Sequence, residues 1–200
     1  MAVIIGAEAN TLDSVFRYYY KHDLRMVNIT VNLTQDKKIA LSAEDESCKR
    51  MKHLLRQNIL TLDEFLRHIP SDMTVNIDVR RYGGKQNAIP NTIICRIIMA
   101  TKKRGKKNVI YSSCDKEIAR IALCNRRDAW LTINDENILL SDLSVFSKIS
   151  VSKDLIPCLL GSYELFKDKD VYIHNVSEED WITLKNDDRL KFVKGICVKL

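Results

Sequence analysis

The sequence predicts an α/β fold, a compact or truncated (β/α)₈ barrel of the TIM type. Three observations lead there. Short apolar runs of strand length alternate with longer amphipathic segments along the chain, the pattern of successive β-α units. About eight strands can be counted once the weakest candidate, Lys38 to Leu41, is set aside. A length of 200 residues suits one domain with a real core and is too short for two ordinary ones. No Pro/Ser-rich linker or internal repeat divides the chain, so residues 1–200 read as a single domain.

Taken in order, Ala2 to Ile5 reads as the first buried strand, followed by a helix from Thr11 to Lys21 capped by Asn10 or Thr11. Met26 to Leu33 alternates Val27, Ile29, Val31 and Leu33, as a half-buried strand does. A basic amphipathic helix is expected over Glu46 to Asn58. Thr61 and Glu64 have capping-box spacing and open a short helix that stops before Pro70. Strand Thr74 to Val79, a loop holding Gly83 and Gly84, and a helix from Asn91 to Lys103 come next. Strands are expected at Val109–Tyr111, Ala129–Ile133, Val145–Val151, Asp170–His174 and Gly195–Leu200. The intervening helices fall at Asp115–Leu123, Leu139–Leu143, Leu155–Phe166 and Glu178–Leu184.

Composition narrows the class. Hydrophobic residues make up 46% and charged residues 29%, with 6 Gly and 3 Pro, which excludes disordered and fibrous chains. The most apolar stretch, Ile93 to Ala100, contains Arg96 and is far short of a membrane span. No secretory signal is recognised, so a cytoplasmic protein is expected, and the sequons at Asn28, Asn32 and Asn175 read as chance matches. The cysteines at 48, 95, 114, 124, 158 and 197 show no C-x-x-C pair or zinc spacing. They are expected to be reduced and mostly buried, with no disulfide-linked partner. The net charge of +6 favours acidic partners.

Several stretches, in order, resemble the glycerophosphodiester phosphodiesterase family. Ala9-Asn10-Thr11-Leu12 resembles the E-N-T-L that opens that family's first helix, with Ala9 in place of the Glu. Val27 to Asp36 resembles its I-E-x-D-V-x-L-T-x-D strand and turn, and Val75 to Arg80 its N-I-E-I-K. Val109 to Asp115 is similar to V-I-F-S-S-F-D, and Val171 to Val198 to the closing W-T-V-N, helix and D-G-I-I-T-D segment. The resemblance implies a barrel, and in the family a phosphodiester is cut by two histidines and a divalent metal held by three carboxylates.

Carried across residue by residue, little of that chemistry is present. The His-Arg pair of H-R-G falls on Ile4 and Ile5, with Gly6 retained, and the E-x-D carboxylates fall on Asn28 and Thr30. The second His and its following Asp fall on Ser42 and Ala43. Asp78 alone keeps a carboxylate, with Arg80 where the family has lysine; these two are vestigial positions, expected to form a salt bridge. No catalytic residue, metal ligand or cofactor is therefore expected. His22, His53, His68 and His174 read as structural or exposed, His174 matching the family's Trp. Gly83-Gly84-Lys85 lacks P-loop spacing, and Ser112-Ser113 lacks a nucleophile elbow.

The leading expectation is a catalytically inactive pseudoenzyme acting as a binding or structural scaffold, with a protein or ribonucleoprotein partner. One alternative is an RNA-associated basic protein. Lys102, Lys103, Arg104, Lys106 and Lys107 place five cations in six residues, and Tyr18-Tyr19-Tyr20 adds rings of which at least one belongs to the core. The other is residual metal-dependent hydrolysis around Asp78, Arg80 and His174.

Overall fold

The computed structural model describes residues 4–8, 11–42, 44, 49–80, 90–139 and 143–199. Its strands are β1 (Ile4–Glu8), β2 (Met26–Leu33), β3 (Ile39–Leu41), β4 (Thr74–Val79), β5 (Val109–Ser113), β6 (Asp128–Ile133), β7 (Lys148–Ser152), β8 (Asp170–Ser177) and β9 (Val193–Lys199). All except β3 run parallel. β1 pairs with β9 on one side and β2 on the other, so these eight close into a ring in the order β1-β2-β4-β5-β6-β7-β8-β9. The barrel is thus compact in its connections and complete in its strands. The weak candidate set aside in the sequence is β3, an antiparallel addition outside the ring. It pairs with Val31–Leu33 of β2, beyond the Val27–Asn28 stretch that β1 occupies.

The helices are α1 (Leu12–His22), α2 (Met51–Leu55), α3 (Leu62–His68), α4 (Pro90–Lys103), α5 (Lys116–Cys124), α6 (Glu136–Leu139), α7 (Ile156–Gly161) and α8 (Glu178–Leu184). Their starts follow local chemistry. Thr11 caps α1 by accepting from the Ser14 amide, and Asp115 caps α5 by accepting from Glu117 and Ile118. Thr61 with Glu64, and Ser177 with Asp180, form reciprocal capping boxes on α3 and α8.

Period-two alternation builds the core. Val27, Ile29 and Val31 of β2 and Val75, Ile77 and Val79 of β4 point outward and are buried in the layer between sheet and helices. Leu131, Ile133, Ile149, Val151, Ile173 and Val198 do the same on later strands. Burying each such side chain contributes about 1.5–3 kcal/mol. The alternate positions point into the barrel. At its N-terminal end Met26, Ile110, Trp130 and Cys197 form a separate apolar plug, with Tyr172 packed on it. The Trp130 and Tyr172 rings stack with centroids 4.0 Å apart. Two residues further along the same five strands stand Asn28, Ser112, Thr132, Lys199 and His174, which are polar or charged.

Several expectations need correction. The expected helix Leu155–Phe166 is broken: a 3₁₀ turn over Lys153–Leu155 leads into α7, and a second covers Tyr163–Leu165. Pro157 sits in the first turn of α7, where its ring fixes the helical φ, and Gly161-Ser162 ends it. The helical segment expected at Leu139–Leu143 lies earlier, as α6; residues 140–142 fall outside the described set. Of the helix expected over Glu46–Asn58, Met51–Leu55 is helical and residues 45–48 fall outside it, as does the loop holding Gly83 and Gly84. β7 starts at Lys148, because Val145 lies in an exposed turn. The thiols are not mostly buried. Cys95, Cys114 and Cys124 are exposed, on the outer face of α4, just past β5 and at the end of α5, and Cys197 is buried in the plug. No disulfide joins the described cysteines. Tyr18 is buried and Tyr20 is 74% exposed, as consecutive helical positions require.

Gly6 marks the seam. A Cβ there would sit 2.9 Å from both the carbonyl oxygen and Cε of Met26, so the β1–β2 approach requires glycine. Gly6→Ala is expected to destabilise the fold by about 1–3 kcal/mol, seen as a fall of several degrees in Tm by calorimetry with two-state reversibility checked.

Candidate functional site

The C-terminal ends of the barrel strands enclose a cavity of about 370 Å³. Seven of the eight ring strands supply polar residues to it: Asn28 and Thr30 from β2, Asn76 and Asp78 from β4, Ser112 from β5, and Thr132 from β6. Ser150 and Ser152 come from β7, His174 and Asn175 from β8, and Lys199 from β9, while Arg80, Asn134 and Asp154 follow the ends of β4, β6 and β7. Parallel register sets Asn28 beside Asn76 and Thr30 beside Asp78. The positions that the sequence comparison marked as vestigial thus do converge.

Asp78 and Arg80 form the expected ion pair, Arg80 Nε donating to Asp78 Oδ2 at 3.1 Å. Burial pushes the Asp78 carboxyl up, opposed by the adjacent guanidinium and the Thr132 hydroxyl. Its Oδ1 has no hydrogen-bond partner among the described residues, and neither do Asn28 Oδ1 and Asn76 Oδ1. An unpaired buried acceptor costs about 1–3 kcal/mol, so the mouth is set up to receive donors.

His174 is held at both ring nitrogens. Nδ1 lies 3.0 Å from Ser150 Oγ and Nε2 lies 2.7 Å from Asn134 Oδ1. With the amide oxygen accepting, Nε2 carries the proton and Nδ1 accepts from Ser150. Burial, reinforced by Lys199 and Arg80 and opposed by the Asp154 carboxylate, pushes the imidazole down from 6.5 to about 4, so it is neutral near pH 7. Lys199 Nζ donates to Asn175 Oδ1. Ser113 Oγ donates to the Val79 carbonyl at 2.6 Å and accepts from the Asp115 amide, a structural role. Ser42, where the family's second histidine falls, accepts from the Glu44 amide; Ala43 lies outside the described residues.

A hard divalent cation does not fit this donor set. Such ions take several oxygen ligands with net negative charge. Here Asn28 and Thr30 are neutral, the Asp78 charge is already paired with Arg80, and the other lining carboxylate, Asp154, accepts from Ser152 Oγ at 3.3 Å. Among the described residues no three His, Cys, Asp or Glu side chains form a cluster that could hold a metal.

The basic run Lys102–Lys107 lies towards the opposite end, at the turn before β5. Its cations do different work. Arg104 pairs with Asp63, and Lys103 sits 3.7 Å from the same carboxylate. Lys106 Nζ donates to the carbonyls of Ile69 at 2.8 Å and Pro70 at 3.0 Å, and burial lowers its pKa. Lys102 and Lys107 are exposed. Sequence reading missed Asn76, Ser112, Thr132, Ser150, Ser152 and Lys199 as site residues; the signal was polar residues at the alternate positions of apolar strands.

No family model matches the chain, and no curated protein does. Solved structures do. The glycerophosphodiester phosphodiesterase of Thermotoga maritima is 16% identical with a TM-score of 0.72, covering 99% of this chain and 95% of that one. The fold is that of the glycerophosphodiester phosphodiesterases. A putative glycerophosphoryl diester phosphodiesterase from Silicibacter pomeroyi gives a TM-score of 0.76 at 10% identity, covering 98% of this chain and 90% of that one. An Oleispira antarctica phosphodiesterase, solved with the product sn-glycerol-3-phosphate, gives 0.73 at 14%, covering 98% and 91%. Among the described residues no helix is long and apolar enough to cross a membrane.

The sign of the His174 effect follows from its lowered pKa. Between pH 6.5 and about 4 the unfolded chain takes up a proton that the folded chain refuses, so stability falls as pH drops through that window. His174→Gln is expected to remove a loss of the order of 2 kcal/mol between pH 7 and pH 4.5. Urea unfolding of both proteins at the two pH values measures it.

Proposed function

We propose that this chain is a non-hydrolytic member of the phosphodiesterase fold, a binding scaffold that holds a small polar ligand in the barrel mouth. One observation carries the reading. Asn28 and Thr30 stand where the resemblance puts two metal carboxylates, beside an Asp78 already neutralised by Arg80. Acid-base groups are lacking in the same sense. Ile4 and Ser42 take the histidine positions, and His174 is neutral with both nitrogens engaged. A proton shuttle needs a nitrogen that can reach the leaving oxygen.

The ligand follows from the lining. The three unpartnered oxygens of Asn28, Asn76 and Asp78 call for hydroxyl or amine donors, and Lys199 and Arg80 bring two cations to the same mouth, beside the carboxylates of Asp78 and Asp154. A hydroxylated compound bearing an anionic group has both features. The product bound to the Oleispira enzyme, sn-glycerol-3-phosphate, is a convenient probe of that class.

Two measurements test the proposal. With magnesium or calcium, hydrolysis of bis(4-nitrophenyl) phosphate is expected to stay at the buffer rate. Turnover that chelation and Asp78→Asn both abolish would sink the reading. The double variant N28E/T30D is expected to bind calcium at least tenfold more tightly than the parent chain by calorimetry. Millimolar sn-glycerol-3-phosphate is expected to raise Tm in the parent and not in Asn76→Leu; no shift in the parent would remove the ligand class from the proposal.

A further inference from the structure

A second concavity, of about 1020 Å³, lies outside the barrel, between α4, the ends of α2 and α3, and the turn joining β2 to β3. Its size exceeds the usual range for small-molecule pockets, roughly 300–1000 Å³. Two exposed apolar side chains line it: Met99 on α4, 70% exposed, and Leu55 on α2, 44% exposed. Below them Ile39, Met51 and Leu62 are buried and make an apolar floor. Thr92, Cys95 and Met99 fall three and four residues apart on α4, forming one stripe along the wall.

The charges around this floor are lopsided in their availability. Every lining carboxylate is engaged from within the fold. Asp36 accepts from the Met51 amide and the Thr34 hydroxyl, Asp63 from Arg104, and Glu64 from Thr61 in its capping box. The cations are engaged less. Arg67 lies 3.7 Å from Asp63, and the Met51 amide, helped by Lys38, holds the Asp36 carboxyl low. Lys37, Lys38 and Lys52 are exposed, with no side-chain salt bridge among the described residues. Arg96 spends one N–H on the Lys37 carbonyl at 2.8 Å, which pins the β2–β3 turn to α4 and fixes the width of the groove.

The geometry points to this groove as the docking site for an acidic amphipathic helix of a partner protein. Apolar residues at i, i+3 or i+4 and i+7 would seat between Met99 and Leu55, and Asp or Glu on the flanks would meet Lys37, Lys38, Lys52 and Arg96. Charge complementarity chooses the partner: a basic helix meets like charge on both rims, and an uncharged one leaves the lysines unanswered. This surface is separate from the barrel mouth, so it stands whether or not a ligand binds there.

A displayed library of helix-forming peptides, panned against the whole chain, tests the assignment. Enriched peptides are expected to carry the apolar spacing with Asp or Glu on both flanks. They should bind the parent at least tenfold more tightly than M99E or K52E, both of which alter exposed side chains and leave the fold intact by circular dichroism. No enrichment, enrichment without acidic bias, or binding unchanged in M99E would overturn it. Sedimentation of the parent chain supplies the other check: a dimer that M99E dissociates would assign the groove to a second copy. A short single-stranded RNA that binds the parent and not M99E would assign it to nucleic acid.

Discussion

Closure of the sheet through β1 is the constraint on which the rest of the molecule depends. A five-residue strand bridges β9 and β2, and it does so only because residue 6 has no side chain against Met26. Once closed, the ring has no free parallel edge, and the direction of every strand residue is decided. Alternate positions are committed to the helix layer or to the interior, except at the irregularity in β8, where His174 and Asn175 both line the mouth. The one strand that does not belong to the ring, β3, takes the length of β2 that rises past β1. There its neighbours hold it: Asn32 Nδ2 donates to the carbonyls of Ser42 and Glu44.

The interior then divides by height. The plug of Met26, Ile110, Trp130 and Cys197 excludes water from the N-terminal end, and the polar residues above it share a confined space. Confinement explains the electrostatics of the mouth. It raises the pKa of Asp78 and lowers that of His174, because each is penalised for its charge and neither is fully compensated. The arrangement sets unmet hydrogen-bonding capacity beside an ion pair, Asp78 with Arg80.

Most of the fold was legible in the sequence because alternation, capping residues and turn positions are local signals. Strands Met26–Leu33 and Thr74–Val79 and helix Glu178–Leu184 match their sequence-based bounds, and the Thr61/Glu64 capping box and the helix start at Asp115 sit where expected. The broken helix after β7 was not legible, since Leu155–Phe166 keeps apolar spacing through both of its 3₁₀ turns. The Asp78–Arg80 pair could be read from two-residue spacing on one strand. The remaining site residues could not, because Ser112, Thr132, Ser150 and Lys199 come from four strands distant in sequence, and only closure brings them together. The partners of the basic run were not legible for a related reason: Lys106 and Arg104 stand in a charged turn of the sequence, and only the tertiary fold brings them to α3 and the segment after it.

The stepwise change along the inner wall, apolar at the base and polar two residues later, has an evolutionary consequence. Residues that hold the fold and residues that line the mouth occupy different positions, although they are interleaved in the gene. Substitutions at the upper inner positions leave the helix layer and the plug untouched, so each can be accepted singly without passing through an unfolded ancestor. That separability gives a physical route by which a chain can share a TM-score of 0.76 with a neighbour at 10% identity, and by which its chemistry could drift while its shape stood still.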